Sequence, residues 1–247
     1  MTYAGLDIGS RTIVLVDFEG SIRDFRIVDA GPNPLQRCEA LLADRSYRRL
    51  VATGYGRRLA MESLADGIVS EIKAYALGAS HLYPDCRTVI DVGGQDCKAS
   101  RLSESGGVER FEMNDRCAAG TGAFLEAMAR TLEVSVEELG AHALAAESTV
   151  RINSLCTVFA QSEVVSLVAR GADSRAIALG IHEAIATRVA GMARHVSPKE
   201  RVVFAGGGAL NACLRQLMSQ KLGLELTVPE EPQIVGALGA ALMASEE

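Results

Sequence analysis

The chain has 247 residues, 23% of them charged, and a formal net charge of −6. That length supports a substantial core in one large domain or two lobes, and the acidic balance without any Lys/Arg-rich block argues against a nucleic-acid partner. No apolar run approaches the ~18 residues of a membrane span. The start, MTYAGLDIGS, lacks the basic-then-apolar pattern of a signal peptide, so a cytoplasmic protein with no membrane attachment and reduced thiols is expected.

In chain order, residues 3–9 (YAGLDIG) predict a buried strand ending in glycine. Ser10, Arg11 and Thr12 turn the chain, and IVLVDF returns as the second arm of a hairpin, with Asp7 near the end of the first. A third strand is expected at 22–29. Pro34 sits in the first turn of a helix through LQRCEALLAD. RLVATGYG is a strand, RRLAMESL a helix, and residues 68–82 carry apolar residues at helical spacing up to Pro84. The pattern then restarts. TVIDVGG is a strand, CKASRL its returning partner and VERFEMN a third strand, so an Asp-containing strand, a glycine turn and a returning strand occur twice, at Asp7 and at Asp91. Two lobes of similar topology sharing a cleft follow from this repeat. The lobes are expected at 1–85 and at 86–231. Helices are expected at 121–131, at 136–147 behind the capping box of Ser135 and Glu138, at 154–170 as an amphipathic helix stopped by Gly171, and at 174–195 before Pro198. RVVFA, Gly206-Gly207-Gly208, the helix ALNACLRQLMSQKLG, the strand LELTV and the small-residue helix QIVGALGAALMA close the chain.

Three glycine turns each follow a short apolar strand: Asp7 to Ser10, Asp91 to Asp96, and Gly206 to Asn211. Backbone without Cβ can approach phosphate oxygens and direct N–H groups at them. Asp7, Asp91 and Asp96 suit magnesium, a hard ion that takes oxygen ligands. Gln95 or Asp96 could orient an attacking water. GGGALN also invites comparison with a dinucleotide fingerprint, but its third glycine is replaced by Asn211.

Of the six cysteines, none forms a C-x-x-C pair. Cys117, in NDRCAAGTG, and Cys156, in NSLCTVFAQSE, stand apart because each precedes a predicted helix, where N–H groups and the helix dipole favour a thiolate. An iron–sulfur cluster usually takes four thiolates. A two-fold homodimer would bring two from each chain to its axis. Read from the residues alone, a cluster and a pair of structural cysteines both remain open.

The stretches GLDIGSRT, VIDVGGQDCKA, MNDRCAAGTGAFLEAMA, INSLCTVFAQSEVVSLVARG and FAGGGALN resemble, in that order, the ATPase activators (component A) of 2-hydroxyacyl-CoA dehydratases and the nucleotide-binding subunits of benzoyl-CoA reductases, the BadF/BadG-type ATPases. The resemblance implies an α/β fold of two ribonuclease H-like lobes, as in actin, sugar kinases and heat-shock chaperones, with ATP or ADP and Mg2+ between them and the C-terminal helix, 232–247, returned to the first lobe. Asp7, Gly9, Ser10, Arg11 and Thr12 would form the first phosphate motif, and Asp91, Gly93, Gly94, Gln95 and Asp96 the second. Gly206, Gly207, Gly208 and Asn211 would form the adenosine motif, with Gln233 also at the nucleotide. Asp7, Gln95 and Asp96 would carry hydrolysis. The resemblance further implies a homodimer holding one [4Fe-4S] cluster through Cys117 and Cys156 of each chain, a ferredoxin or flavodoxin as electron donor, and a dehydratase or reductase component as acceptor. Arg11, Ala123 and Cys97 depart from the residues usual in that family. The alternative within the same superfamily is a small-molecule kinase. A scaffold without redox function is a third reading, in which both cysteines are dispensable.

Overall fold

A computed structural model of the chain describes residues 2–117, 120–153 and 156–246. It divides into two compact units. Unit 1 comprises residues 1–89, 100–111 and 229–247, and unit 2 residues 90–99 and 112–228.

In the first sheet, β1 (Tyr3–Ile8) pairs antiparallel with β2 (Thr12–Phe18), and β2 with β3 (Ile22–Asp29), which carries a bulge at Asp17/Phe18. α1 (Pro34–Leu42) crosses over to β4 (Arg49–Thr53), which lies parallel to β1. Asn33 caps α1 by accepting from the Gln36 amide, and Pro34 takes the first helical position, where its missing N–H costs nothing. After α2 (Arg57–Ser63), β5 (Gly67–Ile68) adds a second parallel strand. The order is β3-β2-β1-β4-β5. Ile68 is therefore in a strand rather than in the helix expected from 68. α3 (Glu71–Leu82) starts only after Ser70, whose hydroxyl accepts the Lys73 amide and fixes the helix start.

The second sheet repeats the scheme. β6 (Thr88–Val92), β7 (Cys97–Leu102) and β8 (Val108–Asn114) lie beside β9 (Val202–Ala205) and β10 (Leu226–Thr227), in the order β10-β9-β6-β7-β8. Read from its third strand, each sheet has the same order, which is the repeat expected from Asp7 and Asp91. Between β8 and β9 come α4 (Gly122–Thr131), α5 (Val136–Leu144), α6 (Thr157–Ala169) and α7 (Ser174–His195). Gly206 leads into a 3-10 turn, Gly207–Leu210, and then α8 (Ala212–Leu222). Leu125, Met128, Leu139, Ile177, Ile181, Ile185 and Phe204 form the core of unit 2.

α9 (Val235–Glu246) packs on the first sheet, where Ala237, Leu238 and Ala241 meet Val14, Val16 and Phe18. Its small residues have a geometric reason: a Cβ on Gly5 would overlap the Ala237 carbonyl, and one on Gly239 the Ala74 carbonyl. The backbones touch where ordinary side chains would hold them apart.

α6 differs from its expected amphipathic character. It buries Ala160 and Val164 but leaves Val158 and Phe159 each 68% exposed, and Val165 53% exposed. The helix is apolar on both faces, so the pattern that looked like a core stripe also continues on the outside. Among the described residues no helix is long and apolar enough to cross a membrane.

Candidate functional site

In unit 1, Asp7 lies one residue from the end of β1, in register with Val14 and Thr53, and is 8% exposed. The chain reverses through Gly9, Ser10 and Arg11. The Gly9 amide donates to the Thr12 carbonyl at 2.9 Å and closes the turn on itself. Gly54, at φ +87°, abuts the Asp7 carboxylate on one side, and Gly236, in the first turn of α9, abuts it on the other; a Cβ at either position would overlap a carboxylate oxygen. Gln233 lies in the turn that enters α9.

Unit 2 repeats this geometry. Asp91 is 2% exposed, one residue from the end of β6. The Gly93 amide donates to the Asp96 carbonyl at 2.9 Å, the same closure as Gly9 to Thr12. Gly206, at φ +79°, abuts Asp91 Oδ1 and the Val92 carbonyl as Gly54 abuts Asp7 Oδ1 and the Ile8 carbonyl. The amides of Gly9 and Gly93 are thus used inside the turns. Gln95 is exposed and Asp96 half-buried at the mouth of the second turn.

Two features distinguish the second turn. Lys98, 4% exposed, places its Nζ 3.2 Å from Asp91 Oδ2 and 2.8 Å from Asp96 Oδ2. The turn also holds a helix. The Gly122 amide donates to the Gly93 carbonyl at 2.9 Å, and the Ala123 amide to the Gly94 carbonyl at 2.8 Å. The first amides of a helix have no partner within it, and Thr121 gives α4 no side-chain cap, so the Gly93–Asp96 turn supplies those acceptors itself.

Asn211 is committed to structure. Its Oδ1 accepts the Leu214 amide at 2.9 Å, capping α8, and its Nδ2 lies 2.9 Å from His182 Nε2. His182 Nδ1 donates to the Ala178 carbonyl at 2.7 Å, which leaves Nε2 as acceptor. Burial lowers the His182 pKa, so the ring is neutral in this arrangement.

The thiols divide as expected. Cys38, Cys86, Cys97 and Cys213 are buried, whereas Cys117 is partly exposed and Cys156 exposed. Burial pushes the thiols of Cys38, Cys97 and Cys213 up to about 11. Cys156 is the N-cap residue of α6. Cys117 lies further from its helix, four residues before the Thr121 cap of α4, beyond the single turn over which the dipole acts. Asn114 holds the Cys117 carbonyl through its Nδ2 at 2.8 Å. Residues 118, 119, 154 and 155, which flank the two cysteines, lie outside the described residues. α4 and α6, the helices that follow the two cysteines, pack against one another in unit 2. Among the described residues no group of three or more His, Cys, Asp or Glu could hold a metal within one chain.

Residues 26–244 match the BadF/BadG/BcrA/BcrD ATPase family. The chain belongs to that family. It is an ATPase, and its sequence is 39% identical to the 2-hydroxyisocaproyl-CoA dehydratase activator of Clostridioides difficile over 98% of this chain and 94% of that one. It is 40% identical to the (R)-2-hydroxyglutaryl-CoA dehydratase activating ATPase of Acidaminococcus fermentans over 97% and 95%. The solved structure of the Clostridium difficile activator with bound ADPNP superposes with a TM-score of 0.91 at 38% identity, covering 100% of this chain and 95% of that one. A ROK-family glucokinase from Streptomyces griseus shares the fold alone, at TM-score 0.63 and 13% identity.

In this family member, two site residues escaped the sequence reading. Gly54 is the unit 1 counterpart of Gly206, legible only by aligning the two halves strand by strand. Lys98 looked like one residue of a returning strand. The signal was its spacing of seven residues from Asp91 across a hairpin, which brings the two side chains together.

Proposed function

We propose that this ATPase is a reductive activator. It couples ATP hydrolysis to delivery of one electron from a dimer-bridging [4Fe-4S] cluster to a 2-hydroxyacyl-CoA dehydratase or related reductase component, working in the cytoplasm with a ferredoxin or flavodoxin as donor. The observation that carries this reading is the pair of hydrogen bonds from Gly122 and Ala123 to Gly93 and Gly94. They join the turn expected to receive phosphate to the helix that follows Cys117. A pure phosphotransferase has no need for that connection to an accessible thiol.

The donor set fits the cluster. Two thiols are accessible per chain and four are buried, so a four-thiolate site needs a second copy. The exposed apolar residues Val158 and Phe159, in the first turn of α6 after Cys156, and Val165, further along the same helix, suit burial against that copy. When bound, the cluster supplies a one-electron carrier. Cys117 and Cys156 hold it, and Asn114 orients the Cys117 backbone. Asp7 in unit 1 and Asp91 and Asp96 in unit 2 are the carboxylates that would serve Mg2+, and Gln95 or Asp96 would orient the water that attacks the γ-phosphate, giving ADP and phosphate. Gain or loss of that phosphate at the Gly93–Asp96 turn bears directly on the first amides of α4. This is a two-state element biased by a phosphate.

The test is anaerobic iron and sulfide analysis with an absorption spectrum, on the wild type and on Cys117→Ala and Cys156→Ala. About four irons per dimer, lost in either variant, is the expected result. An iron-free protein that still binds ATP after cluster reconstitution would overturn the redox reading and move the search to a phosphoryl acceptor.

A further inference from the structure

Lys98 is buried in unit 2 with its ammonium between two carboxylates, 3.2 Å from Asp91 Oδ2 and 2.8 Å from Asp96 Oδ2. An ammonium is costly to bury unless it is paired. Two carboxylates sharing it leave the triad with one net negative charge. The depths of the three groups are ordered. The Asp91 side chain is 3% exposed and the Lys98 side chain 5%, whereas the Asp96 side chain is 27% exposed. Glycine backbone also packs against both carboxylates, Gly206 on Asp91 Oδ1 and Gly93 on Asp96 Oδ1. Asp96 is the mouth of the site and Lys98 its interior.

A pair of carboxylates at this spacing would, without the lysine, attract a divalent cation, since hard ions seek carboxylate oxygen. With the lysine in place, an incoming ion must displace a buried ammonium or sit beside it, where like charges repel strongly in a medium less polar than water. A nucleotide changes this balance, because its phosphates bring negative charge for both cations. We propose that Lys98 is a positioning residue that occupies, from inside the protein, the place of a cation between Asp91 and Asp96, and so makes divalent-metal binding at this turn conditional on a nucleotide. The proposal rests on the reading that this turn receives ATP, and it assigns the turn a guard against metal without substrate.

The experiment titrates the full chain with Mn2+, following the free ion by electron paramagnetic resonance, with and without ADP. Wild type, Lys98→Arg and Lys98→Met are compared, each checked for folding by circular dichroism and gel filtration. Wild type and Lys98→Arg are expected to bind Mn2+ weakly alone and at least tenfold more tightly with ADP. Lys98→Met is expected to bind one Mn2+ per chain without nucleotide, at least tenfold more tightly than wild type, and to lose that site when Asp96→Asn is added. Should Lys98→Met fail to fold, Lys98→Gln, which keeps donors for both carboxylates without the charge, carries the same expectation. A folded neutral variant that binds Mn2+ no more tightly than wild type overturns the proposal, as does a wild type that binds Mn2+ equally with and without ADP. A wild type that binds no ADP at all would instead sink the nucleotide reading, while the nucleotide-free comparison still decides the lysine's role.

Discussion

The two Asp turns are near copies in backbone and differ in what surrounds the carboxylate. Asp7 is enclosed by backbone, with Gly54 on one oxygen and Gly236 on the other. Asp91 has the equivalent glycine, Gly206, but on its other oxygen it meets the ammonium of Lys98. The second turn also holds α4 through the carbonyls of Gly93 and Gly94. The same fold unit thus serves two purposes. In unit 1 the turn is a tight receptacle, and in unit 2 it is a receptacle tied to a charged triad and to the helix beyond Cys117. The two turns share a shape, and side chains on the returning strand and the following helix distinguish them.

Filling the matched glycines should have the largest effect. Gly54→Ala and Gly206→Ala each put a Cβ into a carboxylate at a left-handed φ, so both should lose ATP binding at least tenfold and destabilise the fold by more than the 1–3 kcal/mol that strain alone costs. Gly171→Ala, also at positive φ (+76°) but with open space around it, should cost only the strain. Denaturant midpoints and ATP titrations decide this, and the two halves are equivalent only if both matched variants fall together. Next in size is the dimer contact proposed for α6. If that contact forms, Phe159→Asp should convert dimer to monomer and abolish iron binding without loss of fold, read by gel filtration and iron analysis, since Phe159 is 68% exposed. Asp91→Asn should cost about 1–3 kcal/mol through loss of a charge-assisted bond to a buried lysine, with ATP affinity measured beside it.

The smallest expected effect sharpens the role of Asn211. Burial depresses the His182 pKa below its unfolded value of about 6.5. The unfolded chain therefore takes up a proton that the folded one refuses as pH falls. The stability tied to a neutral His182 is present above that unfolded value and is lost as pH drops through it. Wild type should thus weaken between pH 7.5 and 5.5 more than His182→Gln does, measured as urea midpoints.

Much of this was legible in the chain. The repeat Asp-x-Gly, each time after an apolar strand and before a returning one, marked both turns and implied the matched sheet orders that the structure contains. The two accessible cysteines stood out by position. What escaped depended on tertiary contact. Ile68 pairs with Ala52 in a two-residue strand too short to have a period. Gly54 matters because β4 lies beside β1 and brings it to Asp7. The contact of Asn211 with His182 needs the neighbouring α7 and could not be read from the chain. α6 read as amphipathic because local periodicity does not say which apolar residues the rest of the chain covers.

In the proposed function the Gly93–Asp96 turn and the thiol-bearing segment act as one device through Gly122 and Ala123. The most direct measurement is the rate at which an iron chelator strips the anaerobic protein, with ADP and with a non-hydrolysable ATP analogue. Wild type should show rates that differ severalfold between the two nucleotides. Gly122→Pro removes an amide that Gly93 accepts, and its ring presses on that carbonyl; it should bind both nucleotides yet release iron at one rate. Equal rates in wild type, or a nucleotide-dependent rate preserved in the proline variant, would contradict the account.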